Sequence, residues 1–244
     1  LPPFLISVND HAFDGCSSLN KLVFPSSVKS IGKGVLKRCS SLKQVILSNQ
    51  LSLIKSYAFD ECKLLEQISI PLSLNSIEKC SFRNCKSLTQ IIIPSSVISI
   101  GDYAFYGCSS LSQITVPSSV ISIGNGAFNG CSSLKQITIP SSVTYIEENV
   151  FKWCSSLTEI EIPSSVTSIA YSVKSYGTNI FDGVISLEIS GDINNLPDYI
   201  FNKCTSLESI IIPPSVTSIG QSAFENCSSL TQISIPSSVT TIKK

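Results

Sequence analysis

Cysteine is the residue of this chain most able to do chemistry, because its ten thiols could bind a metal or pair as disulfides. No Cys-x-x-Cys pair occurs, and no histidine or acidic cluster has ligand spacing, so we expect no metal site and no cofactor. Nine of the cysteines instead recur every 23 residues, with one gap of 50: Cys16, Cys39, Cys62, Cys85, Cys108, Cys131, Cys154, Cys204 and Cys227.

Such a column points its side chains the same way from successive coils, and parallel Cβ directions suit a disulfide poorly. We therefore expect buried, reduced thiols that act as small apolar side chains. Cys80 lies outside the column, and we expect it to be the most exposed or reactive thiol.

Catalytic groups are scarce in the sequence. The single histidine, His11, falls in a column expected at the surface. The serines recur in Cys-Ser-Ser-Leu and Pro-Ser-Ser-Val turns, where hydroxyls bond nearby backbone, and no glycine-rich phosphate loop occurs. We therefore expect no catalytic residues and no enzyme.

The repeat that spaces the cysteines must also position every other side chain. A phenylalanine lies three residues before each cysteine of the column, with Leu36 substituting once, and a leucine lies three after it. Self-similarity at this period is the signature of a solenoid, in which stacked units close one core. The phenylalanines are Phe13, Phe59, Phe82, Phe105, Phe128, Phe151, Phe201 and Phe224.

One regular unit shows how the chain folds locally. Its Ile114-Thr115-Val116 segment alternates inward and outward with β-branched residues, which predicts a short strand, and Pro117 ends it. The apolar residues that follow are too closely spaced for a second long strand. We expect the return path to be turns or a short 3₁₀-like coil.

The consensus Leu-x-x-Ile-x-Ile-Pro-x-x-Val-x-x-Ile-Gly-x-x-Ala-Phe-x-x-Cys resembles the 23-residue leucine-rich repeat of the BspA-like (treponemal-type) family over essentially the whole chain. The resemblance implies a right-handed solenoid with a parallel, concave β-sheet of about ten short strands and turn or 3₁₀ returns on the convex side. It also implies a protein-binding role, of the kind displayed on bacterial and parasitic-protist surfaces and implicated in adhesion.

We expect one solenoid over residues 1–244, with an irregular unit and insertion at about 169–200. Seven residues are added there around residues 171–177, and Val184 takes the place of cysteine. A loop inserted in one repeat is a common place for a specific function, although a tolerated surface loop is the alternative.

The outward residues of the strands are the candidate partner-binding site. A column of glutamines faces outward, and beside the irregular unit this face becomes acidic, with aromatic residues near in sequence. Aromatic and charged residues together favour an interface, whereas stacked amides alone could be structural. The candidates are Gln113, Gln136, Glu159, Glu161, Glu188, Trp153, Tyr171 and Tyr176.

Charge and hydropathy limit the partners further. Lys and Arg number 17 and Asp and Glu number 17, which argues against a nucleic-acid partner, and no apolar run is long enough for direct membrane insertion. Residues 1–90 hold 11 Lys/Arg against 6 Asp/Glu, and the rest hold 6 against 11. The chain stops part-way through a unit, so we expect further repeats, another molecule or end-to-end self-association to cover that edge.

Two functions remain open from the sequence. The first is a non-catalytic protein–protein interaction module at the cell surface or outside the cell, which resembles BspA-like adhesion and recognition proteins. The alternative is an intracellular scaffold attached to a cytoskeletal or other filamentous assembly.

Overall fold

The computed structural model describes residues 1–170 and 179–243, and in these residues the chain forms short β-strands and no helix. Each coil of the chain contributes a three-residue strand and a two-residue strand, apart from the longer β16. The strands are β1 (Ser7–Val8), β2 (Lys21–Val23), β3 (Ser30–Ile31), β4 (Gln44–Ile46), β5 (Leu53–Ile54), β6 (Gln67–Ser69), β7 (Ser76–Ile77), β8 (Gln90–Ile92), β9 (Ser99–Ile100), β10 (Gln113–Thr115), β11 (Ser122–Ile123), β12 (Gln136–Thr138), β13 (Tyr145–Ile146), β14 (Glu159–Glu161), β15 (Ser168–Ile169), β16 (Ser186–Ser190), β17 (Asn195–Leu196), β18 (Ser209–Ile211), β19 (Ser218–Ile219), β20 (Gln232–Ser234) and β21 (Thr241–Ile242).

The strands form two parallel sheets along the solenoid. The even-numbered strands make sheet A, as the ladders β2-β4-β6, β8-β10 and β12-β14-β16-β18-β20, with β6 beside β8 and β10 beside β12. The odd-numbered strands make sheet B, as the ladders β1-β3, β5-β7-β9-β11, β13-β15 and β17-β19-β21, with β3 beside β5 and β11 beside β13, and sheet B is interrupted between β15 and β17. Outside the irregular unit, paired residues are 23 positions apart, as in Ile91 with Ile114. The expected parallel β-solenoid of about ten turns is confirmed.

Sheet B adds to the prediction for the return path. The expected turns are present, but each return also contains a two-residue strand, and no 3₁₀ helix occurs in the described ranges. Ile100 shows why two residues suffice: it is buried, and with Ser99 it pairs with β7 on one side and β11 on the other. A short strand becomes stable when both of its edges are paired with neighbouring coils.

Tight turns join sheet B to the next cysteine, and outside the irregular unit each contains two residues with positive φ. In the third coil these are Tyr57 and Glu61, with φ near +61°, and in the sixth they are Gly126 and Gly130. Left-handed backbone costs a non-glycine residue about 1–2 kcal/mol. Most coils nevertheless place larger side chains there, so contacts with the neighbouring coils must stabilise the turns.

The phenylalanine column is the centre of the core. Phe128 is fully buried, and its ring stacks between Phe105 at 5.6 Å and Phe151 at 6.0 Å, with interplanar angles of 4° and 3°. Phe181 continues the stack on the far side of the insertion, 5.9 Å from Phe151. The expected internal ladder is therefore confirmed, and the irregular unit does not interrupt it.

The cysteine column is buried between coils, but its thiols also form hydrogen bonds. Cys108 donates to the Phe82 carbonyl at 3.1 Å, and Cys131 donates to the Phe105 carbonyl at 3.3 Å. The same bond recurs from Cys39 to Cys227. The column thus joins each coil to the preceding one, beyond the apolar role that we expected.

The prediction for Cys80 is wrong. Its side chain is buried, and burial raises the pKa of its thiol. Cys80 occupies a left-handed turn position between the equivalent turn residues Tyr57 and Tyr103 of the adjacent coils, which enclose it. The exposed thiol is Cys16, in the first coil.

The Pro-Ser-Ser-Val corners also join the coils. We expected their serines to bond nearby backbone, and the second serine does so with a carbonyl of the preceding coil. Ser119 donates to the Val97 carbonyl at 2.6 Å, and Ser165 donates to the Val143 carbonyl at 2.9 Å. These bonds satisfy carbonyls at a corner where the sheets are interrupted.

The irregular unit changes the register of sheet A by two residues. Ile160 of β14 pairs with Ile189 of β16, whereas Leu187 of β16 pairs with Ile210 of β18. Strand side chains alternate with a period of two, so both Leu187 and Ile189 remain buried. The corner that follows lacks the usual proline and turns at Gly191, where a Cβ would approach the Ile162 carbonyl oxygen to 2.6 Å.

We expect Phe128→Ala to destabilise the fold by about 3–5 kcal/mol, because it leaves a cavity in the middle of the ring stack. Urea unfolding of the two proteins measures the difference. Phe4→Ala is the matched control, since Phe4 is 88% exposed and its loss should change stability little. Equal effects at the two positions would contradict the buried stack.

We also expect the buried thiols to make the fold sensitive to alkali. Burial raises the pKa of Cys108 and of Cys154 to about 12, whereas an unfolded thiol ionises near about pH 8.5. Above that pH the unfolded state binds fewer protons than the native state. The stability is therefore complete below about pH 8.5 and is lost as pH rises toward the native pKa, by about 1.4 kcal/mol per pH unit for each such thiol.

Urea unfolding across the alkaline range tests this slope. Cys108→Ala should reduce the slope by the contribution of one thiol, and Ser119→Ala, which removes a hydroxyl that does not titrate in this range, should leave it unchanged. Identical slopes in the two variants would contradict the expected proton linkage.

Candidate functional site

The outer side of sheet A, here called the sheet A face, presents two columns of outward side chains. In β10, Gln113 and Thr115 are exposed while Ile114 between them is buried, as predicted. Up to β14 the first column contains Lys21, Gln44, Gln67, Gln90, Gln113, Gln136 and Glu159. The second contains Val23, Ile46, Ser69, Ile92, Thr115, Thr138 and Glu161. The longer β16 presents Ser186, Glu188 and Ser190, and its Glu188 pairs with Glu159 on one side and with Ile211 on the other. Beyond β16, Ser209 and Gln232 continue the line of Ser186, and Ile211 and Ser234 continue the line of Glu188.

Three carboxylates form a continuous acidic strip on this face. Glu159 and Glu161 are the two outward residues of β14, and Glu188 of β16 is the pairing partner of Glu159. All three are exposed, and none of the ion pairs within the described part of the chain involves them. Like charges on directly paired strand positions destabilise a sheet. The strip therefore presents uncompensated negative charge to solvent.

The neighbouring strands extend the strip into a shallow groove. The Thr138 hydroxyl donates to Glu161 Oε2 at 3.0 Å and orients that carboxylate along the face. Gln136 pairs with Glu159, and Gln113 lies one strand further along. The open groove over β10, β12 and β14 has a volume of about 300 Å³. The structure thus brings together five of the predicted site residues: Gln113, Gln136, Glu159, Glu161 and Glu188.

Trp153 lies in a different part of the coil. It occupies a left-handed turn position just before Cys154, with φ of 61°, and its ring packs on Gly183. The ring is 54% exposed, and the Lys152 ammonium lies 5.5 Å from its centre. It is thus on the return segment, away from the sheet A face. Tyr171 and Tyr176, the other two predicted aromatic residues, lie outside the described residues.

An apolar area on the same face was missed in the sequence. Ile92 is 81% exposed, Leu72 is 83% exposed, and Val23 and Ile46 are also exposed. Leu72 and Ile92 line a groove with Ile46 over β4, β6 and β8. The signal was present in the sequence, because Val23, Ile46 and Ile92 occupy the outward strand position that Thr115 and Thr138 fill elsewhere. Leu72 takes the place of the first serine in a Pro-Ser-Ser-Val corner. The sheet A face therefore has an apolar part at β2–β8 and an acidic part at β14–β16.

Three of the positive residues near the start of the chain are paired with anions. The buried Asp60 carboxylate accepts two hydrogen bonds from Arg83, at 2.7 and 2.9 Å, and the pair raises the pKa of the Arg83 guanidinium. Lys37 lies 3.8 Å from the same carboxylate, and Arg38 pairs with Asp14. These residues alternate in sign from one coil to the next. These ion pairs join neighbouring coils.

Other kinds of site are not evident in the described ranges. They contain no group of three or more His, Cys, Asp or Glu side chains that could hold a metal ion. They also contain no helix long and apolar enough to cross a membrane. The chemistry that the sheet A face offers is recognition through apolar contact, amide hydrogen bonds and negative charge.

Known structures of leucine-rich repeat proteins are similar to this chain. One, from Bacteroides ovatus, is 27% identical with a TM-score of 0.66, and the match covers 100% of this chain and 80% of the other. Another, from Eubacterium ventriosum, is 21% identical with a TM-score of 0.51, covers 97% and 78%, and shows the fold alone. No curated protein matches the chain in sequence.

The family model for the BspA type leucine rich repeat region matches the chain in six copies, over residues 1–92, 75–180 and 170–244. Leucine-rich repeats of this type are generally a non-catalytic, protein-interaction fold. Since these matches extend over the whole length of the sequence, the chain belongs to the BspA-type leucine-rich-repeat family.

Proposed function

We propose that this chain is a recognition module displayed at a cell surface, where it binds a protein partner through the sheet A face. The binding site is centred on Glu159, Glu161 and Glu188, with Gln113 and Gln136 beside them. Recognition there needs no catalytic residue and no cofactor.

The observation that carries the proposal is the unpaired acidic strip. Three exposed carboxylates occupy paired positions on a rigid sheet, and no cation in the described part of the chain neutralises them. Asp60, by contrast, is buried and paired with Arg83 at 2.7 Å. A strip left without counter-ions is suited to electrostatic recognition, which raises association rates and selects partners.

The surface location is supported by the family. Proteins that this repeat resembles are displayed on bacterial and parasitic-protist surfaces and are implicated in adhesion. The alternative is an intracellular scaffold on a filamentous assembly, which would use the same face for a different partner.

Site-specific photocrosslinking tests the binding face. A photoreactive amino acid at Gln136 should form an adduct with a protein partner in the native cells or on the cells that they contact. Mass spectrometry of the adduct identifies the partner. The matched control is the same amino acid at Thr144, which is exposed beside sheet B. Adducts at Thr144 but not at Gln136 would refute the sheet A face as the binding site.

Antibody labelling tests the location. Antibodies raised against the folded chain should label intact native cells, and mild external proteolysis should remove the label. Labelling that appears only after the cells are made permeable would instead favour the intracellular scaffold.

A further inference from the structure

The shape of the sheet A face limits what can bind there. Each strand contributes two outward residues, and strands in a sheet are about 4.8 Å apart. From β2 to β20 the face is therefore a strip about 43 Å long, from nine spacings, and only three residues wide. A strip of these proportions fits an extended peptide segment that lies along the solenoid axis.

Two parts of this strip offer different chemistry, and β18, which carries the exposed Ile211, lies beyond them. Val23, Ile46, Leu72 and Ile92 form the apolar part over β2–β8, and Glu159, Glu161 and Glu188 form the acidic part over β14–β16. Between them, Thr115 and Thr138 are uncharged. A segment that satisfies both parts must be apolar at one end and basic at the other.

We propose that the partner presents an extended segment with this bipartite pattern, an apolar pair followed or preceded by Lys or Arg. This inference rests on the proposed function and specifies its partner. Charge complementarity supports a partner segment of this kind, because three unpaired carboxylates require cations and the apolar part requires apolar side chains.

Strand spacing sets the expected distances within the segment. Ile46 and Ile92 are two strands apart, which is about 10 Å and about three residues of extended chain. Ile92 and Glu161 are three strands apart, which is about 14 Å and about four residues. The segment should therefore contain two apolar residues about three positions apart and a basic residue about four positions beyond them.

A second copy of this chain does not meet these requirements. In the two outward columns of sheet A, Lys21 is the one basic residue, so the face cannot neutralise the acidic strip of another copy. The glutamates also act against the fold of the free chain, since Glu159 and Glu188 repel each other across paired strands. Charged residues that destabilise the folded chain are expected at positions where they serve binding.

Selection from a random-peptide library displayed on phage tests the proposal, with the intact 244-residue chain as the target. Enriched peptides should share the apolar and basic pattern at the stated spacing. Each is then made synthetically, and its affinity is measured by fluorescence anisotropy. Raising the salt concentration should weaken binding, because the strip is exposed to solvent.

Variants of the chain test whether the acidic part of the sheet A face binds the basic residues of the peptide and the apolar part binds its apolar residues. Changing Glu159, Glu161 and Glu188 together to Gln should lower peptide affinity by about tenfold or more, and it should raise the melting temperature of the free chain. Ile92→Ser should weaken binding to a similar extent. Ile121→Ser, at an exposed isoleucine beside sheet B, is the matched control and should change neither affinity nor fold.

Failure of the bipartite segment can be distinguished from failure of the proposed binding face. Enriched peptides without Lys or Arg, or peptides whose affinity is unchanged by the three Gln substitutions, would overturn the bipartite segment. A selection that enriches no peptide would also overturn it. Light scattering that shows self-association of the chain, abolished by the three Gln substitutions, would do the same. In each case a crosslink at Gln136 to a folded protein would still support the proposed binding face.

Discussion

The whole architecture depends on one constraint: after each turn the chain must return to the same place, one strand spacing along the axis. Backbone groups of one coil then hydrogen-bond to those of the next, as between Gln113 and Gln90. Because neighbouring coils supply these partners, no unit is stable alone, and 23 residues is the length that closes one circuit of this core. The ring stack and the thiol and hydroxyl bonds all follow from this repeated position.

The irregular unit shows how strictly this constraint operates. The insertion could have shifted sheet A by any number of residues, but an odd shift would turn every inward side chain outward. The observed shift at β16 is two, and Leu187 and Ile189 both stay in the core. At the next corner Asp192 replaces the usual contact by accepting hydrogen bonds from Ser164, at 2.7 and 3.0 Å. The face on which the glutamates lie therefore remains continuous across the insertion.

Much of this structure could be predicted from the sequence, because the repeat fixes which residues share an environment. The strand Gln113–Thr115, the buried Phe128 column and the outward glutamates all follow from periodicity. Features that arise only between coils could not be predicted. The two-residue strands have no propensity of their own, Cys80 is buried by adjacent turns, and the hydroxyl of Ser119 bonds a carbonyl 22 residues away.

The serine and thiol bonds described above share a direction. In both ladders the donor belongs to the later coil and the carbonyl belongs to the earlier one, as from Ser119 to Val97 and from Cys108 to Phe82. The backbone amides of the turns donate the other way, as from Phe59 to the Ser81 carbonyl of the following coil. An interior coil is therefore bonded in both directions and cannot detach without breaking bonds to both neighbours, so we expect unfolding to begin at the terminal coils, which have one neighbour each.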